Sequence, residues 1–182
     1  MKKNLYLLKG DVDRYDQLII ESESDRELVS TIVGTRSSLP HSVCAIWAGG
    51  GLPKPDIAIL NGFVMLCSSR VKNALDSSTF MGGNEFLPIN VDGESWYIMN
   101  VCNKGKGLLN HFRSKVSYYN DGQVKWIEKH VFKKCYGNDA IFYLEEQPTV
   151  YFSSKDFVDV LEINHFNGIL AEECKVIKNL IF

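Results

Sequence analysis

Short apolar runs separated by polar turns recur along the chain, and one such pattern occurs twice. Val64 to Asp76 (VMLCSSRVKNALD) aligns without a gap on Val150 to Glu162 (VYFSSKDFVDVLE), 86 residues later. Each copy opens with three or four apolar residues suited to a buried strand. Ser68 or Ser154 then stands where a helix N-cap would accept a hydrogen bond from the first free N–H groups. Val71 and Leu75, like Phe157 and Leu161, fall four residues apart on one helical face. After each copy comes a turn and another strand-like run, Phe86–Val91 in the first case and Gly168–Ala171 in the second.

The remaining pattern is rich in strands. Leu5–Leu8 reads as a first strand and Tyr15–Glu21 as a second, followed by a short helix over Glu23–Thr31. Residues 34–56 carry Pro40, Pro53, Pro55 and the run Gly49-Gly50-Gly51, which predicts a long surface loop. Phe86–Val91 and Trp96–Val101 flank Asp92-Gly93, a strong hairpin signal. Lys115–Tyr119 and Gln123–Phe132 flank Asn120-Asp121-Gly122, a second hairpin. Ala140–Leu144 and a terminal run, Val176–Phe182, supply further strands. The expected class is α+β: a mixed, mainly antiparallel sheet with a duplicated strand, Ser-capped helix and strand unit, flanked by a few helices. With 182 residues, 45% of them hydrophobic, one globular domain over 1–182 is expected.

Charge changes the picture because it is segregated. The net charge of −2 conceals seven acids, Asp11, Asp13, Asp16, Glu21, Glu23, Asp25 and Glu27, set against only Arg14 and Arg26. Between Asp139 and Glu173 eight acids face only Lys155. Between these blocks Lys104, Lys106, Arg113, Lys115, Lys125, Lys129, Lys133 and Lys134 outnumber Asp121 and Glu128. Such blocks are commonly plain solvated faces. Two acidic surfaces brought together by folding would instead steer a basic partner, as a nucleic-acid-cleaving toxin commonly is. The basic block also holds Phe112, Tyr118, Tyr119 and Trp126, the mixture single-stranded nucleic-acid binders use. A half-buried hairpin with lysines protecting its edge has the same composition.

Candidate chemistry is sparse. His41, His111, His130 and His165 are isolated, with no HExxH or HxH spacing, so neither a metal nor a cofactor is expected. No GxSxG elbow occurs, and Gly49-Gly50-Gly51-Leu52-Pro53-Lys54-Pro55 lacks the ending of a phosphate-binding loop. Glu145 and Glu146, read as neighbours on a strand, would point to opposite faces. No catalytic residue is assigned and no enzymatic activity is expected. Five widely spaced cysteines (Cys44, Cys67, Cys102, Cys135, Cys174) suit reduced, mostly buried thiols. The lack of a signal-peptide pattern or membrane-length apolar run points to a cytoplasmic protein without membrane contact.

From Phe63 to Asp76, through Phe86–Gly93 and Trp96–Val101, then Ser117–Gly122, Val131–Lys133, Ile141–Leu144 and Val150–Leu161, the order of blocks resembles an immunity-protein family of bacterial polymorphic toxin systems. The resemblance covers roughly residues 56–173 and makes 56–182 a family-like core behind a variable N-terminal part, 1–55. It implies a cytoplasmic antidote that binds a cognate secreted toxin, delivered for example by a contact-dependent or type VI system, and occludes its active site. A nuclease-type toxin is expected. The alternative is an RNA-binding or regulatory module using residues 104–134, and homo-oligomerisation stays open. Charge and loop position pick Asp11, Asp13, Asp16, Glu21, Glu23, Asp25 and Glu27 as toxin-contact candidates, with Trp47, on the glycine- and proline-rich loop, as an aromatic anchor.

Overall fold

The computed structural model describes residues 4–60, 62–76, 82–133 and 140–177; Lys134, Cys135, Asp139 and the terminal run from 178 onward lie outside the described residues. In chain order, β1 (Leu5–Gly10) and β2 (Leu18–Ile19) precede α1 (Glu23–Ile32), and β3 (Cys44–Trp47), β4 (Ile57–Leu60) and β5 (Val64–Ser68) lead into α2 (Ser69–Asp76). Then come β6 (Glu85–Val91), β7 (Glu94–Asn100), β8 (Lys115–Tyr118), β9 (Val124–Lys129) and β10 (Val131–Phe132). The last elements are β11 (Ile141–Leu144), β12 (Gln147–Ser154), α3 (Lys155–Ile163) and β13 (Ile169–Val176). The fold is α+β, rich in sheet and mostly antiparallel. Among the described residues no helix is long and apolar enough to cross a membrane.

The sequence repeat extends to topology. One sheet has the order β2-β3-β6-β7-β5-β4 and the other β10-β13-β1-β12-β11. Antiparallel hairpins β4–β5 and β11–β12 each feed a helix, and the chain then returns to a strand one position removed. The skipped position is filled by β7 in the first sheet and by β1 in the second, each antiparallel to both neighbours. Beyond it, β3 lies parallel to β6 and β10 lies parallel to β13. The halves are therefore β3-β4-β5-α2-β6-β7 and β10-β11-β12-α3-β13-β1, with the last strand of the second half supplied from the opposite end of the chain.

Local chemistry explains the shared elements. Ser154 Oγ accepts from Phe157 N at 3.4 Å and Ser68 Oγ from Val71 N at 3.5 Å, the N-cap arrangement expected of both copies. Asp92 (φ 50) and Gly93 (φ 86) both adopt positive φ, as a type I′ turn demands, and this fixes Val91 opposite Glu94. Ser22 Oγ accepts from Asp25 N to cap α1, whose Glu23 and Asp25 oppose the positive helix end.

Strand alternation separates three cores. Met65 and Cys67 of β5 join Leu8, Tyr151, Val71, Leu75, Phe157 and Leu161 in a central cluster shared by both sheets and both helices. Val64 and Leu66 point the other way, into a cluster covered by Val29 and Ile32 of α1. On the second sheet Leu5, Phe132, Phe142 and Phe152 form an outer cluster with Leu109 and with Ile127 of β9. Phe132 and Phe152 meet edge-on at 5.1 Å and Phe142 and Phe152 stack at 5.8 Å; such pairs contribute roughly 0.5–1.5 kcal/mol each beyond the area they bury.

Three sequence expectations change. Only Leu18 and Ile19 of the run Tyr15–Glu21 form a strand, because only they have a partner, in β3. The expected loop 34–56 contains β3, whose buried Ala45 joins the core under α1. Ile169–Ala171 of the first expected run and Val176 of the terminal one belong to one strand, β13, which continues through Glu172 and Glu173 because both can face solvent while the backbone pairs with β1. Residues 1–55 supply β1, the middle strand of the second sheet.

Candidate functional site

The acidic segment splits when it folds. Asp11 and Asp16 are buried, which removes them from the expected contact surface. Asp11 Oδ2 pairs with Arg14, while Asp16 Oδ1 accepts from Gln17 N at 2.9 Å and Gly50 N at 3.2 Å, so both carboxylates hold turns in place. The hollow they line measures about 10 Å³, room for no more than about one water. Asp25 is partly buried and bonds His41 Nε2 at 2.8 Å. Asp13, Glu21, Glu23 and Glu27 remain exposed, three of them on or beside α1.

Trp47 is corrected as well. It ends β3 rather than occupying a loop, and its ring meets Trp96 edge-on at 5.3 Å with Lys54 Nζ 5.4 Å from its centroid. Half-buried, it packs against the core instead of offering an open anchor.

The exposed aromatics lie elsewhere. The β8–β9 hairpin turns through Tyr119–Gly122, where Gly122 at φ 83 lets its N–H reach Tyr119 O at 3.0 Å and Asp121 Oδ1 accepts from Gln123 N at 2.9 Å. One side of the hairpin buries Ile127 over the outer phenylalanine cluster. Tyr118 (50% exposed), Tyr119 (55%) and Trp126 (55%) of the hairpin stand open to solvent, and Phe112 in the preceding loop is fully exposed. Lys125 Nζ lies 5.8 Å from the Tyr119 ring and Lys115 pairs with Glu128, so charges frame the rings. Four large aromatics this exposed within 15 residues are the kind of side chains that anchor interaction sites on folded proteins.

Beside the hairpin lies an open cleft of about 360 Å³, bounded by β1, β9, β12 and the end of β4. Trp126 forms part of its wall. Within the cleft lining, His130 Nε2 donates to Gln147 Oε1 at 2.8 Å, and the imidazole packs edge-on against Phe152 at 4.9 Å. Burial holds the His130 pKa below that of an ordinary histidine, although the Gln147 bond pulls the other way. Gln147 is 6% exposed, and its Nε2 finds no hydrogen-bond partner among the described residues. An unpaired buried amide donor costs about 1–3 kcal/mol, so a partner oxygen there would be rewarded. Tyr151 also lines the cleft; its hydroxyl donates to Phe63 O, and burial raises its pKa.

Among the described residues no other arrangement of reactive groups stands out. Cys67 is wholly buried, which drives its thiol far above the ordinary range, and burial pushes Cys174 up to about 11 and raises Cys102. Buried thiols of this sort are poor nucleophiles. Among the described residues no group of three or more His, Cys, Asp or Glu is placed to hold a metal ion. Glu145 and Glu146 form the turn between β11 and β12, not a strand, and Glu146 lies 3.4 Å from His111.

The cleft escaped sequence reasoning because its walls come from β1, β9 and β12, more than a hundred residues apart at the extremes. The one local signal was Gln147-Pro148, a polar residue and a residue without an N–H interrupting the apolar run before the second repeat copy. No protein-family model matches the chain, and no curated protein matches it.

Proposed function

We propose that the chain is a binding protein of the immunity type, which neutralises a cognate secreted toxin by covering its active site. The observation that carries the reading is the set of exposed rings on the β8–β9 hairpin, Tyr118, Tyr119 and Trp126, with Phe112 just before it. Exposed rings on a rigid hairpin provide apolar contact at small entropic cost, and tyrosine and tryptophan dominate the energetics of protein interfaces. The antidote role rests on the resemblance of residues 56–173 to immunity proteins. Exposed Asp13, Glu21, Glu23 and Glu27 form a second charged surface, suited to speeding the approach of a basic nuclease-type toxin.

The test is coexpression with the toxic domain encoded beside this gene, read as complex formation and survival of the host cell. A tight complex with rescued growth is expected. The double substitution Tyr118→Ser/Trp126→Ser weakens it about 30-fold or more, the loss of at least about 2 kcal/mol that a central aromatic hot spot implies. If serines at the four exposed acids abolish the complex while the aromatic variant binds normally, the docking face lies on the α1 side. Failure of the intact protein to bind or rescue ends the antidote reading.

One observation favours a second reading. Arg113, Lys125, Lys129 and Lys133 are exposed around the same rings, a setting in which bases of single-stranded RNA stack and phosphates are attracted. Salt-sensitive binding of a 12-nucleotide single-stranded RNA, lost in the Tyr118→Ser/Trp126→Ser protein, would support it; no binding at low salt would remove it.

A further inference from the structure

The sheet that contains β1 is forked. β1 pairs with β12 only from Leu5 opposite Ser154 to Leu8 opposite Tyr151. Further along, Lys9 and Gly10 pair with β13 alone, opposite Leu170 and Ile169. On the other branch Thr149 and Val150 have no register partner in β1 and none in β11, whose pairing shifts between Tyr143 and Leu144. Two strand ends thus diverge at the cleft of about 360 Å³. Pairing lost inside a sheet exposes main-chain donors and acceptors along a ready-made edge.

We propose that this fork seats an extended peptide segment of the bound partner, which adds to β12 at Thr149–Val150 and presents an oxygen to the buried Gln147 Nε2. The inference rests on the partner-binding reading above and names the contact that reading leaves open. Three features select an extended peptide. Its main chain supplies alternating donors and acceptors, which a strand edge requires and a purely apolar ligand lacks. A carbonyl or side-chain amide oxygen satisfies the Gln147 donor, which is closed off from solvent and has to turn toward the cleft to meet it, while the amide's own oxygen is held by His130. Leu7, Val12, Val150 and Trp126 give an apolar wall for one side chain. The volume is near the low end of the range for ligand sites, roughly 300–1,000 Å³, so the cleft admits a few residues and no folded element. Trp126 belongs both to the cleft and to the exposed hairpin face, so a partner resting on the hairpin has its next contact in the fork.

The test places the photo-crosslinking residue p-benzoylphenylalanine at Thr149, which is exposed, or at Tyr118, in cells coexpressing the same toxic domain. Melting of each variant is compared with the unsubstituted protein to exclude misfolding. Crosslinks from Thr149 to one continuous stretch of the partner are expected. That stretch, as a synthetic 12-residue peptide, is expected to bind the full chain, and Gln147→Met to weaken the peptide about tenfold or more by removing the donor. Thr149→Arg, a surface change that fills the fork mouth, is expected to do the same without loss of stability. Crosslinks from Tyr118 but none from Thr149 would overturn the proposal and leave the hairpin interface standing, as would a peptide that ignores both substitutions. No complex at all would overturn both readings, and crosslinks to RNA in place of protein would transfer the hairpin to the second one.

Discussion

On the outer face of the first sheet lies α1, a ten-residue helix carrying Glu23, Asp25 and Glu27 and burying Val29 and Ile32. The matching face of the second sheet is covered by the β8–β9 hairpin, with Lys115, Lys125 and Lys129 and three exposed rings. Beneath these covers the two halves have the same strand order, the same parallel strand pair and the same capped helix. The inner faces of this shared frame meet in one core and must be complementary there. The covers face solvent and were free to differ. Function is best sought where two copies of one frame have stopped resembling each other, and here that means the acidic helix and the aromatic hairpin.

The halves also dock reciprocally. The segment entering β13 lies against the start of β4, with Ile57 N donating to Asn167 O and Asp56 N to Asn167 Oδ1, while the segment entering β6 lies against the start of β11, with Asn84 Nδ2 donating to Ile141 O. Gly168, at φ +96, is the tightest point: a Cβ there would stand 2.0 Å from Ile57 O. Gly168→Ala therefore combines backbone strain with a clash against main chain, and a loss of about 3 kcal/mol or more is expected in urea unfolding. A loss below about 1 kcal/mol would mean that the junction can slide. Next in size is Asn84→Ala, which abandons Cys102 N, Asn103 N and Ile141 O and should cost about 2–3 kcal/mol. Asn167→Ala removes one bond from its side chain to Asp56 N and should cost about 1 kcal/mol. Equal costs for the two asparagines would show that the junctions carry the same load despite their different bonding.

Much of the frame was legible in the sequence. The repeat placed β5–α2 and β12–α3, and Asp92-Gly93 placed the β6–β7 hairpin, because caps and positive-φ turns are local chemistry. The role of β1 was not legible: nothing in Leu5–Leu8 says that it fills the position β7 fills in the other half, since that depends on strands more than 140 residues away. β3 was hidden among prolines and glycines that a loop would also contain. For the candidate site, charge indicated which residues could be surface but not which would be. Asp11 and Asp16 turned inward because backbone N–H groups and Arg14 needed acceptors there. The rings of the hairpin were visible as a pattern, yet only folding shows that Phe112, Tyr118, Tyr119 and Trp126 are exposed while Ile127 is buried.

His130 gives a smaller and pH-dependent contrast, because the first half has no titratable group at the corresponding place in β3. Burial lowers its native pKa, so the unfolded chain, whose histidine titrates near about 6.5, binds the proton more readily. Its contribution to stability is therefore full above about pH 6.5 and falls as pH drops toward the lowered native value. Urea midpoints at pH 7.5 and 5.5 should show the advantage of the intact protein over His130→Phe shrinking on acidification. An advantage that stays constant between those pH values would mean that the imidazole takes up its proton equally well in the folded state.

The smallest expected effect compares the two N-caps. Removing the hydroxyl with Ser154→Ala frees Phe157 N and should cost about 1 kcal/mol, within the roughly 0.5–2 kcal/mol typical of such caps. Ser68→Ala should cost the same or slightly less, because its bond to Val71 N is at 3.5 Å, the longer of the two, and because Ser69 Oγ also donates to Ser95 O and helps to hold the start of α2. α3 has Asp156 in its first turn, where a negative charge favours the helix, whereas α2 has no acid there, so α3 retains more of its stability when its cap is lost. These two asymmetries oppose each other, which predicts nearly equal losses at low salt. Added salt screens Asp156 but leaves the hydroxyl bonds alone, so Ser154→Ala should become the more costly substitution as salt rises, measured by thermal unfolding of both variants at 20 mM and 500 mM sodium chloride.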